Sequence, residues 1–167
     1  MEIEIILDYF SQYGLIFLFV IVFLEYLNLP GLPAGIIMPA TGVLIANGES
    51  NFFVAIIISV IAGVLGSVSL YIIGRVGGTK LLDKYLKKFP KQKHYVDKIA
   101  KIVEEKGNFG VFISKLIPVA RTLVSIPAGV FKLNFVSFVA YSALGIFLWN
   151  TVFISAGYFL GDIILFR

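Results

Sequence analysis

With 167 residues, 59% of them hydrophobic and 14% charged, the chain is too apolar for a soluble domain, where about half apolar and about a quarter charged is usual. The net charge of +4 comes mainly from one segment and gives little support to a nucleic-acid surface. The absence of cysteine excludes disulfides, thiolate catalysis and Cys-based metal sites.

Charge-free stretches at 26–48, 50–74 and 133–161 define one integral membrane domain over residues 1–167. About 25 helical residues at ~1.5 Å rise reach ~37 Å, enough to cross a hydrocarbon core of ~30 Å. Met1-Glu2-Ile3-Glu4 is acidic where a secretory signal needs basic residues, so no signal peptide is expected.

Residues 9–29 are expected to form the first membrane helix, apolar from Leu15 to Leu24 with Glu25 near its far end. Residues 30–48 are apolar but too short and too interrupted to span. Pro30, Pro33 and Pro39 each remove a backbone donor, and Gly31, Gly35 and Gly42 loosen the helix, so a re-entrant hairpin is expected. Residues 51–74 read as a spanning helix whose small residues Gly63, Ser67 and Gly74 allow close helix approach.

Residues 79–106 change character and hold nine of the fourteen basic residues, among them Lys80, Lys84, Lys87, Lys98 and Lys101. Thr79 suits an N-cap and Gly107 a stop. Leu82, Leu86 and Phe89, then Val96, Ile99, Ile102 and Val103, follow helical spacing, so two surface amphipathic helices are expected. Their basic charge places this connector in the cytoplasm. Residues 108–132 repeat the hairpin character, with Pro118, Pro127 and Gly129 interrupting apolar sequence. Residues 134–161 then form the last span.

Pro33-Ala34-Gly35 and Pro127-Ala128-Gly129 echo each other. Ala62-Gly63 and Ala156-Gly157 follow the two prolines at equal distances. Hairpin then spanning helix thus occurs twice, with opposite orientation about the basic connector. The fold expected is an all-α membrane protein built as an inverted repeat, its halves at about 9–75 and 108–162, with a substrate site between them.

Two ionisable residues lie where lipid should exclude them. Glu25 needs to be paired, hydrated or protonated at that depth, which makes it the candidate proton-coupling group. Arg121 stays charged and presents a planar fork suited to phosphate, and helix ends at the hairpin break would add free N–H groups. Lys115 is a second candidate for a phosphate headgroup, or it reaches the interface. Lys132 and Arg75 read as positive-inside anchors. Asn150, beside Trp149, wants a hydrogen-bond partner such as a hairpin carbonyl. The lone histidine, His94, gives no metal site, and neither a catalytic residue nor a cofactor is expected.

These residues together resemble the DedA family, whose core is also called the VTT or SNARE-associated domain. The likeness runs over about residues 9–162: Leu24-Glu25 through Leu32-Pro33-Ala34-Gly35, then Gly66-Ser67, Tyr71 and Gly74-Arg75. Phe112 to Thr122, with Lys115, Pro118 and Arg121, leads to Pro127-Ala128-Gly129. Gly145, Leu148-Trp149-Asn150 and Gly157-Tyr158 complete it. The resemblance implies a lipid transporter with two opposed re-entrant hairpins, of the kind linked to flipping undecaprenyl phosphate, in which Glu25 matches the membrane glutamate and Arg121 the second-hairpin arginine. Three positions depart from the pattern. Gly35 stands where an acid is usual, Lys115 replaces an arginine, and Ser67 stands where an acid is frequent.

The function expected is therefore a plasma-membrane flippase for undecaprenyl phosphate or a related phospholipid. Protons are candidate partners, and assembly into homo-oligomers is compatible with it. The alternative is a proton-coupled exporter of a small cation or drug that uses Glu25. A membrane enzyme is disfavoured, since no nucleophile or histidine dyad lies at membrane depth, and a purely structural assembly factor would tolerate loss of both charges.

Overall fold

A computed structural model describes residues 2–28, 34–46, 50–90 and 93–165, all of the regular structure among them helical. Seven helices follow in order: α1 (Glu2–Tyr26), α2 (Ala34–Ala46), α3 (Phe52–Lys88), α4 (Lys93–Lys115), α5 (Ala120–Leu123), α6 (Ser125–Val130) and α7 (Phe135–Leu165). Two are long and apolar enough to cross a membrane: Phe52–Lys80 within α3 and Phe135–Leu160 within α7. Their outward faces carry Phe53, Ile57, Ile61 and Leu65 on one, and Val136, Leu144, Phe147 and Val152 on the other, all exposed. Apolar side chains aligned along whole helices belong against hydrocarbon, not water. The chain is an all-helical membrane protein.

The first membrane helix differs from expectation. α1 breaks at Gly14 (φ 56°, ψ −133°), a left-handed conformation that glycine adopts at little cost. The apolar piece left, Tyr13–Tyr26, is about 20 Å long at ~1.5 Å per residue, too short to span. It ends at once because Asn28 takes φ 56° and caps the helix. Gly107 in α4 has the same dihedrals as Gly14. The stop expected there is thus a sharp bend, after which helix resumes to Lys115. The connector likewise consists of the ends of two longer helices, with Gly78 (φ 57°) bending α3 just before Thr79. Val96, Ile99 and Val103 are buried while Lys98, Lys101 and Lys106 are exposed, so α4 is amphipathic as its spacing implies.

Packing exchanges partners between the two ends of the chain. α2 packs chiefly on α7, and α6 on α3. At the first crossing a Cβ on Gly42 would strike the Ile154 carbonyl oxygen and the Tyr158 nitrogen, and one on Gly157 the Pro39 carbonyl. At the second, a Cβ on Gly129 would strike the Tyr71 carbonyl oxygen and the Arg75 nitrogen, and one on Gly74 the Ile126 carbonyl. The contact patterns match atom for atom. They pair Gly42 with Gly129 and Gly157 with Gly74, a different correspondence from the Pro-Ala-Gly and Ala-Gly spacing, because Gly63 faces Tyr26 and Ile146 instead. Pro33 lies outside the described residues, and Gly35 is the second residue of α2.

Two apolar clusters fill the interior. One joins α1, α2, α3 and α7 around Leu18, Val22, Tyr26, Met38 and Ile146. The other joins α3, α4, α5, α6 and α7 around Tyr71, Val103, Leu123 and Phe138. Tyr71 Oη also donates to the Leu133 carbonyl (2.5 Å) and accepts from Arg75 Nη1 (2.6 Å), fixing the end of α6 against α3.

Candidate functional site

The charged residues sit where the clusters meet. Glu25 lies one residue from the end of α1, and Arg121 is the second residue of α5. They form an ion pair through Arg121 Nη2 and Glu25 Oε1, with side chains 1% and 2% exposed. Arg121 Nη1 donates to Tyr26 Oη (3.0 Å), and Thr122 Oγ1 donates to Asn28 Oδ1 (3.2 Å). The end of α1 is thus pinned to α5 through Glu25, Tyr26 and Asn28. The guanidinium carbon lies 5.1 Å from the ring centroid of Tyr26 and 5.1 Å from that of Trp149 on α7, within range of attraction to both π-faces.

Lys115 closes α4 on the other side of this group and is fully buried. Gly145 leaves the room: a Cβ there would come within 2.5 Å of Lys115 Cβ. All three ammonium donors are taken, by Ser67 Oγ (2.7 Å), the Arg121 carbonyl (2.8 Å) and Ser125 Oγ (3.2 Å). Its Nζ also stands 5.2 Å from the Tyr26 ring centroid. One tyrosine ring therefore serves both cations. Among the described residues the buried charged groups are Glu25, Lys115 and Arg121, two cations to one carboxylate. Glu25 Oε2 is buried without a hydrogen-bond partner.

Several expectations change here. Backbone N–H groups at Arg121 and beside it are engaged. Those of Ala120, Arg121 and Val124 bond the carbonyls of Pro118, Ile117 and Ala120, so these three are not the free helix-end donors expected. Asn150 does not bond a hairpin carbonyl. Its Nδ2 donates to Ser59 Oγ (3.1 Å), linking α7 to α3. Pro118 is exposed in the turn before α5, and Pro127 and Gly129 lie in α6 against α3, so these breaks shape the site without joining it. Lys132 and Arg75 are exposed, away from the ion pair. Tyr26 and Ser125 enter the site without a sequence expectation, and Trp149, named only as the neighbour of Asn150 and within the family pattern, joins them. The one sequence signal for Tyr26 is its place beside Glu25 at the end of an apolar run.

A buried cluster of two cations and one carboxylate, enclosed by helices of membrane length and shorter apolar helices, defines a membrane protein with a charged centre. The chain belongs to the VTT-domain family, whose model matches residues 32–159. Undecaprenyl phosphate transporter A of Bacillus subtilis (strain 168) is 36% identical over 131 residues, covering 78% of this chain and 66% of that protein. The protein of the same name from Staphylococcus aureus (strain NCTC 8325 / PS 47) is 31% identical over 163 residues, 95% of this chain and 80% of that one. Protein DedA of Escherichia coli (strain K12) is 29% identical over 160 residues, 92% of this chain and 73% of its own. No solved structure matches the chain.

Proposed function

We propose that this protein carries a lipid phosphate, undecaprenyl phosphate or a close relative, across the plasma membrane. The observation that carries the reading is the buried excess of one positive charge, with the guanidinium of Arg121 held by a single carboxylate. Unbalanced buried cations favour an anion, and the guanidinium fork matches phosphate oxygens. The names of the Bacillus and Staphylococcus relatives support that substrate class.

In this reading the two glycine crossings are the two halves of an inverted repeat. In place of the hairpin expected over 30–48, the short apolar helices Tyr13–Tyr26 and α2 are read as the arms of the first re-entrant hairpin, residues 108–132 form the second, and the basic connector faces the cytoplasm. The ion pair is the closed state. A proton on Glu25 cancels the carboxylate charge, releases the guanidinium, and lets a phosphate take its place between the Tyr26 and Trp149 rings. Deprotonation then returns Glu25 to Arg121 and expels the phosphate. Lys115, with every donor engaged, contributes charge and holds the turn rather than touching the phosphate. A small-cation exporter fits less well, because a cation approaching Glu25 would meet Arg121.

The test is translocation of undecaprenyl phosphate in proteoliposomes. Arg121→Ala is expected to abolish it, and Glu25→Gln to remove its dependence on a proton gradient. Translocation at the wild-type rate by Arg121→Ala would overturn the proposal.

A further inference from the structure

A second site lies between the basic connector and the turn that carries Arg121. It is a cavity of about 150 Å³, with Ile99, Ile102, Ile117 and Ala120 among its lining residues and His94 and Lys98 beside them. At ~30 Å³ per liquid water that is room for about five waters, enough for a phosphate and its first few carbons.

Three observations give the cavity a chemistry. Its charge is unneutralised: Lys93 pairs with Asp97 (3.9 Å) and Lys101 with Glu105 (3.8 Å), but Lys98 has no ion-pair partner among the described residues. Its apolar lining extends onto open surface, since Ile117 and Val119 are 42% and 49% exposed beside the buried Ile99. Its far wall is connected to the charged centre. Ala120 immediately precedes Arg121, and the Ile117 carbonyl accepts the Arg121 N–H (3.0 Å). That turn holds Val119 at φ 68°, a left-handed conformation costly for a β-branched residue, of order 1–3 kcal/mol.

We infer that this cavity is a docking site for the phosphate end of a phosphomonoester lipid, held at Lys98 and His94 with its first apolar carbons against Ile102 and Ile117. A cation beside an isoleucine-lined wall fits an anionic amphiphile. The strained turn between the cavity and Arg121 is the segment that yields as the headgroup passes inward. The inference rests on the lipid-phosphate reading above and adds to it a place where the substrate waits.

The test uses the full chain in nanodiscs of zwitterionic lipid, with farnesyl phosphate as the probe in calorimetric titrations. Lys98→Glu and Ile102→Trp, one removing the charge and one filling the cavity, are each expected to weaken binding about tenfold, the scale of one charge-assisted contact. Each should raise the substrate concentration for half-maximal transport about as much and leave the maximal rate unchanged. Arg121→Ala should bind farnesyl phosphate yet not transport. Wild-type binding in both cavity variants overturns the inference. So does equal competition by inorganic phosphate, which leaves no role for the apolar wall, or by phosphatidylglycerol, which makes the cavity a bulk-lipid contact. If the wild-type protein moves no lipid but binds the probe through Lys98, the docking site stands and the transport reading fails. Normal transport by both variants has the opposite meaning.

Discussion

Lys115 Nζ donates to Ser67 Oγ across 2.7 Å, tying the end of α4 to the middle of α3. These are two of the three positions at which the chain departs from the pattern it resembles, and they prove to be the two ends of one contact. The contact joins one charged group to one neutral hydroxyl. Ser125 and the Arg121 carbonyl take the remaining ammonium donors. Ser67 brings no charge to the contact, so among the described residues Glu25 is the one buried carboxylate beside Lys115 and Arg121.

Ser67→Val should lower stability by about 1.5–3 kcal/mol, the range for a lost hydrogen bond to a charged group. The double variant Ser67→Asp/Lys115→Arg should unfold near the wild-type temperature, because it puts a charge-balanced pair at the same contact. Thermal unfolding in detergent measures both. A double variant less stable than Ser67→Val would show that the two positions do not compensate.

Breaking the ion pair from one side should be costly. Arg121→Met leaves a dry carboxylate at Glu25 and is expected to cost about 3–5 kcal/mol. Glu25→Gln/Arg121→Met, with neither charge left, should cost clearly less than the two single changes added together. A mutant cycle from unfolding temperatures gives the coupling, and strict additivity would mean that the two side chains do not interact.

Trp149 is the chain's single tryptophan, and the Arg121 guanidinium lies over its ring. Its emission should report any movement of that group. Adding farnesyl phosphate to the wild-type protein is expected to shift the spectrum, and in Arg121→Ala the shift should vanish. Replacing Trp149 with Leu should cost about 0.5–2 kcal/mol of attraction to the cation, seen as a lower unfolding temperature. An identical spectral response in Arg121→Ala would detach the tryptophan from the site.

The glycines divide into two kinds. Gly42→Val and Gly129→Val each drive a side chain into the backbone of the facing helix, and should abolish the monodisperse peak in size-exclusion chromatography. Gly14→Ala and Gly107→Ala meet no atom within 4 Å and carry only the left-handed backbone strain, about 1–2 kcal/mol. They should elute normally with lower unfolding temperatures.

What could be read from the residues was mostly local. The spans at α3 and α7, the amphipathic face of α4, and the isolation of Glu25 and Arg121 all follow from hydropathy and period. Gly14 escapes such a reading because an apolar count does not register a dihedral angle, and so a broken helix looks like a full crossing. The bond from Arg121 to Glu25, the ring of Tyr26 beneath both cations, and the partnership of Asn150 with Ser59 join positions far apart in the chain, which no short-range period encodes. The tripeptide echo aligns Gly35 with Gly129, whereas the helix crossings pair Gly42 with Gly129. The glycines that matter were Gly42 and Gly129, chosen by how closely two helices must cross rather than by their neighbours in sequence.

That crossing bears on how the protein is made. α2 leaves the ribosome well before α7, the helix whose Gly157 groove receives it, has been synthesised. Through most of translation its Gly42 face must be sheltered by lipid, the insertion machinery or a chaperone. A chain stopped before α7 would hold six of the seven described helices and still leave the Gly42 face of α2 without the helix it packs on.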